Sequence, residues 1–382
     1  MHHIHQTASD LNCKPHGLEE KQRIFQSMRL MRNLIIYLIL FLASLSVGAI
    51  PSAHTENLPS VAVINMGGTI TSIAPSPLAY FDYSGHGNYS SEEIFGRIPE
   101  VFDIANIVFI NSQEMIAQTN LPEASATVMS ALDDPDIVGA VVHTGTWAME
   151  EVAYFLHLTV NSDKPVVVTG SQRPVDLYSS DAHKNIYDSV RLASSSDAQG
   201  MGVMVLFAEE IFSAREVTKT VIYRPEAFTS REFGPLGSVD ADRIVFYRKP
   251  VRRHTYDTEF DVSAYSRLGE LPRVEIIYGY RGADDHLIRA AVEGGATGIV
   301  IAAMGDGWLP DIEEALKEAV ENGIAVVRSS RIGENRVMPW ARYEGIFIAG
   351  DNLLPQKARI LLMLGLMQTS DVSELQRMFD EY

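Results

Sequence analysis

Short apolar runs rich in β-branched residues alternate with amphipathic segments along the chain, and this alternation constrains the fold more than any other feature of the sequence. The runs are typical of strands that are buried on both faces of a parallel sheet. They cover residues 60–66, 106–111, 137–144, 165–170 and 201–207. Helical patterns lie between them at residues 121–132, 149–158 and 182–193. Repeated units of this kind, joined by right-handed crossovers, predict an α/β fold.

A second, shorter α/β rhythm follows a break. Residues 250–271 are polar and irregular, and we interpret them as an interdomain linker. Beyond this linker, strand-like runs occur at 273–280, 298–304 and 325–330, and helical patterns at 311–323, 354–368 and 370–381. The sequence therefore predicts a larger N-terminal parallel-sheet domain over residues 58–249 and a smaller C-terminal α/β domain over residues 272–382.

Residues 1–53 have the pattern of an upstream segment followed by a signal peptide. Arg29 and Arg32 precede an apolar run over residues 34–47, and small residues follow up to Ala49 and Ala53, where we expect cleavage. A membrane anchor is the alternative, but this run is shorter than the ~20 residues that a spanning helix needs. We therefore predict a signal peptide over about residues 28–53, no membrane anchor after its removal, and a periplasmic or secreted protein.

The charge and the cysteine content exclude several classes of function. The net charge of −18 at pH 7 offers no electrostatic footprint for phosphate backbones, so we expect no nucleic-acid partner. The single cysteine, Cys13, lies in the segment that is predicted to be removed. The mature chain then has neither a disulfide framework nor a thiol nucleophile.

Glycine and hydroxyl residues follow several predicted strands, where open α/β sheets bind their ligands. These segments are residues 67–69, 112–113, 145–147 and 170–174. Gly68 and Gly145 are predicted to offer backbone N–H groups to a substrate oxygen. Thr69 and Thr146 are candidate nucleophiles, because a threonine hydroxyl attacks once a neighbouring group such as Lys219 activates it. An ordinary turn remains the alternative for each segment taken alone.

Other signatures of catalysis are missing from the sequence. The glycines at 67–68 lack the Gly-Lys-Ser/Thr continuation of a phosphate loop and the three-glycine dinucleotide pattern. The histidines show no paired metal-ligand spacing, and no Gly-x-Ser-x-Gly elbow occurs. The residues therefore give no indication of a metal or a nucleotide.

Taken together, several stretches resemble the bacterial L-asparaginase/glutaminase family, specifically its exported type II enzymes. The resemblance extends over residues 60–382. In chain order it is carried by "MGGTI", "NSQEM", "MEEVAYFLHLTVNSDKPVVVTGSQRP", "AREVTKT", "FGPLG", "AVVRSSR" and "PQKARILL". It implies an asparaginase-like fold and hydrolysis of L-asparagine, or of L-glutamine, to the acid and ammonia through an acyl-enzyme.

The resemblance also implies roles for individual residues. Thr69 corresponds to the first nucleophile, and Tyr83 in "FDYSG" to the hydroxyl that activates it. Thr146 and Lys219 belong to a second triad, in which Lys219 assists Thr146 or a bound water. The family is typically a homotetramer whose sites are shared between paired subunits, and it needs no metal or organic cofactor.

The substrate pocket is expected to include four further residues. Ser112 and Gln113 correspond to the residues that hold the substrate's α-carboxylate and neighbouring groups. Trp147 and Ser171, which follow two of the predicted strands, are also expected to line the pocket.

Two departures from the family pattern concern carboxylates. The usual family run is Thr-His-Gly-Thr-Asp-Thr-Met-Glu-Glu, whereas residues 143–151 read His-Thr-Gly-Thr-Trp-Ala-Met-Glu-Glu. Trp147 thus replaces the Asp that orients the lysine and pairs with the substrate's α-ammonium, and an indole N–H only donates. The family also places a Glu from the C-terminal domain or a partner subunit beside the first threonine, and Glu334 and Glu344 are the nearest candidates.

Three interpretations follow from these departures. In the first, the chain is a working amidohydrolase in which Thr69 carries the chemistry and Trp147 reshapes the pocket. In the second, it is an amidase for a substrate that lacks a free α-ammonium. In the third, it is a catalytically silent, amino-acid-binding protein on the same scaffold. Retention of both threonines and Lys219 favours the first.

Overall fold

A computed structural model of the protein describes residues 58–111, 115–308 and 310–382. The predicted signal peptide lies outside the described residues. In the part of the chain that is described, no helix is both long enough and apolar enough to cross a membrane.

Eight of the described strands form one sheet. In chain order, the strands of this part of the protein are β1 (Ser60–Met66), β2 (Asn106–Phe109), β3 (Ile137–Thr144), β4 (Val166–Thr169), β5 (Val203–Phe207), β6 (Glu210–Ser213), β7 (Thr218–Lys219), β8 (Phe228–Thr229), β9 (Gly237–Val239) and β10 (Ile244–Phe246). The sheet has the order β10-β9-β6-β5-β4-β3-β1-β2, whereas β7 and β8 pair separately as a short antiparallel ribbon.

The five predicted strands are confirmed as the parallel part of this sheet. The edge formed by β6, β9 and β10 is antiparallel, and this pairing was not predicted. The chain reverses direction between β5 and β6 at a two-residue turn, in which Ala208 and Glu209 have positive φ angles of 50° and 68°. Positive φ at both central residues matches the strand twist of a tight hairpin.

Four helices accompany the large sheet within the described residues. They are α1 (Ser91–Phe95), α2 (Leu121–Leu132), α3 (Met149–Thr159) and α4 (Ala182–Ala193). Alternate residues of β1 enter two separate cores: Ala62 and Ile64 pack with α2 and α3, and Val61 and Val63 pack with α1 and α4. This alternation places helices on both faces of the sheet.

The smaller sheet is parallel and has the order β11-β12-β13-β14. Its strands are β11 (Val274–Tyr278), β12 (Gly298–Ala303), β13 (Ala325–Ser330) and β14 (Ile348–Ala349). Its helices are α5 (His286–Glu293), α6 (Glu313–Glu321), α7 (Pro355–Gly365) and α8 (Val372–Glu381). Helix α7 packs both on this sheet and on α3. The predicted fold class, a large parallel-sheet part followed by a smaller α/β part, is confirmed.

Candidate active site

The loops that follow β1 and β3 lie against each other. The two strands are parallel neighbours in register, with Asn65 opposite His143. Gly68 has a φ of 101°, and a Cβ on it would lie 2.4 Å from Cα of Gly145. Only glycine permits this backbone conformation together with this approach. The two loops therefore place Thr69 and Thr146 at the same edge of the sheet, the edge at which α/β sheets bind ligands.

Thr69 begins a short 3-10 turn, Thr69–Thr71, directly after Gly68. Its Oγ1 lies 3.1 Å from the hydroxyl oxygen of Tyr83, and either hydroxyl can donate. The loop that carries Tyr83 is tied back to the turn, because the hydroxyl of Thr71 donates to Oδ1 of Asn88 over 3.1 Å. A threonine and a tyrosine that are 14 residues apart in the chain thus form one hydroxyl pair.

Thr146 belongs to a second group of polar side chains. The ammonium of Lys219 donates to Oγ1 of Thr146 over 2.8 Å and to Oε1 of Gln172 over 3.1 Å. The hydroxyl of Thr146 in turn donates to Oε1 of Gln172, also over 3.1 Å. Lys219 is carried by the β7–β8 ribbon and Gln172 by the loop after β4, so three separate chain segments meet here.

The environment of Lys219 disfavours its charged form. Burial lowers the pKa of Lys219, and the carboxylates of Asp181 and Glu150 oppose this effect. Neither carboxylate forms an ion pair with it: among the described residues no carboxylate oxygen lies within 4.0 Å of its ammonium. A lysine whose pKa is lowered is better able to act as a base near neutral pH.

Trp147 lies where the loop meets solvent. Its side chain is 72% exposed, and its indole covers Gly145, since a Cβ on that glycine would lie 3.1 Å from Nε1 of the indole. The position after Thr146 thus presents an aromatic surface instead of a negative charge.

The other residues that the sequence predicts for the site differ in where they lie. Ser171 is buried and its hydroxyl donates to the carbonyl of Arg173 over 2.6 Å, so it stabilises its own loop. Ser112 and Gln113 lie outside the described residues. Glu334 and Glu344 are both exposed.

Two side chains at or behind the site were not assigned from the sequence. Gln172 is the first: it is a polar residue that follows a predicted strand, but no contact with Lys219 or Thr146 was predicted for it. Lys357 of α7 is the second: it is buried, and its ammonium donates to the carbonyls of Ala214 (2.9 Å), Arg215 (3.0 Å) and Val217. It therefore fixes the segment that leads into β7 and Lys219, a contact that no local pattern reveals.

Comparisons with known proteins identify the family of the chain. The family model for the asparaginase N-terminal domain matches residues 60–252, and the model for the glutaminase/asparaginase C-terminal domain matches residues 273–379. The chain is 40% identical to L-asparaginase 2 of Bacillus subtilis (strain 168), over 88% of this chain and 90% of that protein. It is 37% identical to glutaminase-asparaginase of Pseudomonas fluorescens biotype A, over 85% of this chain and 91% of that protein.

A solved structure extends the likeness to three dimensions. The crystal structure of the probable cytoplasmic L-asparaginase from Campylobacter jejuni matches with a TM-score of 0.78 and 35% sequence identity. The match covers 85% of this chain and 99% of that chain. The resemblance found in the motifs is thereby confirmed, and the chain belongs to the L-asparaginase/glutaminase family of hydrolases.

Proposed function

We propose that the protein hydrolyses the side-chain carboxamide of L-asparagine, and of L-glutamine as a further substrate, with Thr69 as the nucleophile. The observation that carries this proposal is the 3.1 Å contact between Oγ1 of Thr69 and the hydroxyl of Tyr83. A threonine hydroxyl is a weak nucleophile and needs a neighbour that receives its proton.

The reaction proceeds in two displacements. Oγ1 of Thr69 bonds to the carboxamide carbon while the Tyr83 hydroxyl relays the threonine proton to the leaving nitrogen. Ammonia departs, and the acyl group remains on Thr69 as an ester. Water then attacks the ester carbonyl, the acid is released, and a proton returns to Thr69. Backbone N–H groups near Gly68 and Gly145 supply donors to the oxyanion of each tetrahedral intermediate.

Thr146 suits an assisting role better than a nucleophilic one. Its oxygen accepts from the ammonium of Lys219, and its proton is directed at the amide oxygen of Gln172. A neutral amide oxygen does not take up a proton in water near neutral pH, so this arrangement offers Thr146 no base through Gln172. We assign Lys219 and Thr146 to the activation of the water that cleaves the ester.

The proposal is tested by ammonia release from L-asparagine and L-glutamine. Wild-type protein should turn over at ordinary enzyme rates, on the order of 1–10³ s⁻¹. Thr69→Ala should release no ammonia above background, and Thr69→Ser, which keeps a hydroxyl, should retain part of the activity. Undiminished turnover by Thr69→Ala would refute the assignment of the nucleophile. Absence of turnover by the wild type, combined with stabilisation by aspartate, would favour a silent binding protein.

A second candidate function is favoured by the exposed indole of Trp147. A substrate with a free α-ammonium finds no carboxylate at this position, whereas one whose α-nitrogen is absent or acylated needs none. Under this alternative, Trp147→Asp should improve the use of L-asparagine relative to succinamate, which lacks the α-amino group. A further decline in asparagine hydrolysis by the variant would count against it.

Export and assembly are also part of the proposal. The family includes a probable periplasmic L-asparaginase of Haemophilus influenzae as well as the probable cytoplasmic one of Campylobacter jejuni, so membership alone does not fix the compartment. The basic, apolar and small-residue pattern over about residues 28–53 supports export. An intact N-terminus on the exported protein would contradict this. We further propose a homotetramer, which light scattering of the purified protein tests.

A further inference from the structure

We infer that Gln172 is a positioning residue that holds Lys219 against Thr146, and that it does so through a neutral amide oxygen, with no carboxylate in contact with the ammonium among the described residues. The inference deepens the proposed function, on which its catalytic consequence rests. The arrangement itself is measurable without turnover.

The first support is the hydrogen-bond pattern around the Gln172 side chain. Its Oε1 lies 3.1 Å from both the ammonium of Lys219 and the hydroxyl of Thr146. Its Nε2 donates to the carbonyls of Val221 (3.3 Å) and Ile222 (3.1 Å), which follow Lys219 by two and three residues in the chain. In the opposite orientation the amide N–H groups would face the ammonium, donor against donor, so the two carbonyls fix which end meets Lys219.

The second support is the loop that carries Gln172. Asp181 accepts from the backbone N–H of Gln172 over 2.9 Å and from that of Arg173 over 3.1 Å. Asn185 of α4 donates to the carbonyl of Gly170 over 3.0 Å. These bonds tie both sides of the loop to the start of α4, so the Gln172 amide is held from its backbone as well as from its end. Such support is what fixes a functional side chain in one geometry.

The consequence is electrostatic. A carboxylate in contact with a lysine favours its ammonium form, typically by one to three pKa units, whereas an amide oxygen gives a hydrogen bond without compensating the charge. Asp181 and Glu150 favour the ammonium form of Lys219 without contacting it, and burial opposes them. Gln172 thus orients Lys219 without adding a third negative charge that would favour the ammonium form. A base that loses its proton closer to neutral pH is better matched to activating water. The group formed by Thr146, Lys219 and Gln172 is thus fully hydrogen-bonded without an acidic member.

The test places a carboxylate where the amide oxygen lies. Gln172→Glu has nearly the same shape, and Gln172→Met keeps the length but has no strong acceptor. Protein labelled with ¹³C at lysine Cε is titrated by NMR, and the Lys219 signal is assigned by its absence in Lys219→Arg. We expect the midpoint of Lys219 to rise by about one unit or more in Gln172→Glu, and not to rise in Gln172→Met.

The same variants have a kinetic readout. The alkaline-rising limb of the kcat profile should move to higher pH in Gln172→Glu by the same amount as the NMR midpoint. In Gln172→Met, kcat should fall at least tenfold with a smaller change in KM. An unchanged Lys219 midpoint in Gln172→Glu overturns the inference, even if the wild type is active. A shifted midpoint in a protein that releases no ammonia refutes the proposed function and leaves the inference intact.

Discussion

The ammonium of Lys219 donates to the hydroxyl oxygen of Thr146 over 2.8 Å, although the two residues are 73 positions apart in the chain. The contact depends on the β7–β8 ribbon, in which Lys219 pairs with Phe228. It also depends on Lys357, whose ammonium fixes the three carbonyls that precede this ribbon. The tertiary fold therefore assembles the second polar group, which consists of Thr146, Lys219 and Gln172. Its contribution to the reaction rate can be measured separately from that of Thr69.

Removal of the Lys219 ammonium should slow the reaction without abolishing binding. We expect Lys219→Met to lower kcat by about 10²-fold or more, because a positioned acid–base group typically contributes 10²–10⁴-fold. Lys249→Met is the control, since Lys249 is exposed and lies beyond β10. Steady-state ammonia release measures both. Equal rates for the two variants would exclude a catalytic role for Lys219.

Catalysis should depend on the hydroxyl of Tyr83 more than on its ring. Tyr83→Phe keeps the ring and removes the oxygen that lies 3.1 Å from Thr69, so we expect kcat to fall by about 10²-fold with little change in thermal stability. Tyr247→Phe, at a tyrosine that is 78% exposed, controls for loss of a phenol. Wild-type kcat in Tyr83→Phe would mean that another group receives the Thr69 proton.

Gly68 should not tolerate a side chain. Gly68→Ala adds a Cβ that would lie 2.4 Å from the backbone of Gly145, at a φ of 101°, and we expect a loss of about 3 kcal/mol or more in the free energy of unfolding. Gly85→Ala is the matched control, because Gly85 has a φ of 83° but nothing within 4 Å of its added Cβ. Gly85→Ala should lower the free energy of unfolding by only about 1–2 kcal/mol. Urea unfolding measures both, and equal losses would show that the approach of the two loops is not the cause.

Acid should destabilise the protein through a buried histidine. His143 is buried, with Nε2 2.8 Å from Oγ of Ser91, and burial lowers its pKa from 6.5 to about 4. Between these two pH values the unfolded chain binds more protons at this histidine than the folded chain does. The contribution of neutral, buried His143 to the free energy of unfolding is therefore complete above about pH 6.5 and is lost as the pH falls towards 4. The effect is worth up to about 3 kcal/mol.

The check on this histidine is a difference between two pH profiles. The free energy of unfolding of wild-type protein should fall more steeply between pH 6.5 and pH 4 than that of His143→Asn, whatever the absolute stability of the variant. Parallel profiles would mean that other groups, such as the buried His157, whose pKa is also lowered by burial, account for the acid sensitivity.

The sequence predicted the regular part of the fold because long segments carry strong periodicity. Helices α2 and α4 begin and end at the predicted residues, and α3 is one residue longer. The antiparallel pairing of this edge was not predicted, because β9 and β10 have three residues each, too few to show a period.

The site was predictable only in part. The positions of Thr69 and Thr146 follow from the rule that strand ends bind ligands, whereas the partnership of Thr69 with Tyr83 came from family resemblance. The place of Gln172 beside Lys219 could not be predicted, since the two are 47 residues apart and meet through a ribbon with no strong sequence signal.

Acid quenching during turnover shows which residue carries the acyl group, and so tests whether Thr69 is the nucleophile. Wild-type protein is mixed with L-asparagine, quenched within the first turnover, digested and mapped by mass spectrometry, with Thr69→Ala as the control. We expect the mass of the substrate less ammonia on the peptide that contains Thr69, and its loss in Thr69→Ala. The same mass on the peptide that contains Thr146, retained in Thr69→Ala, would contradict it.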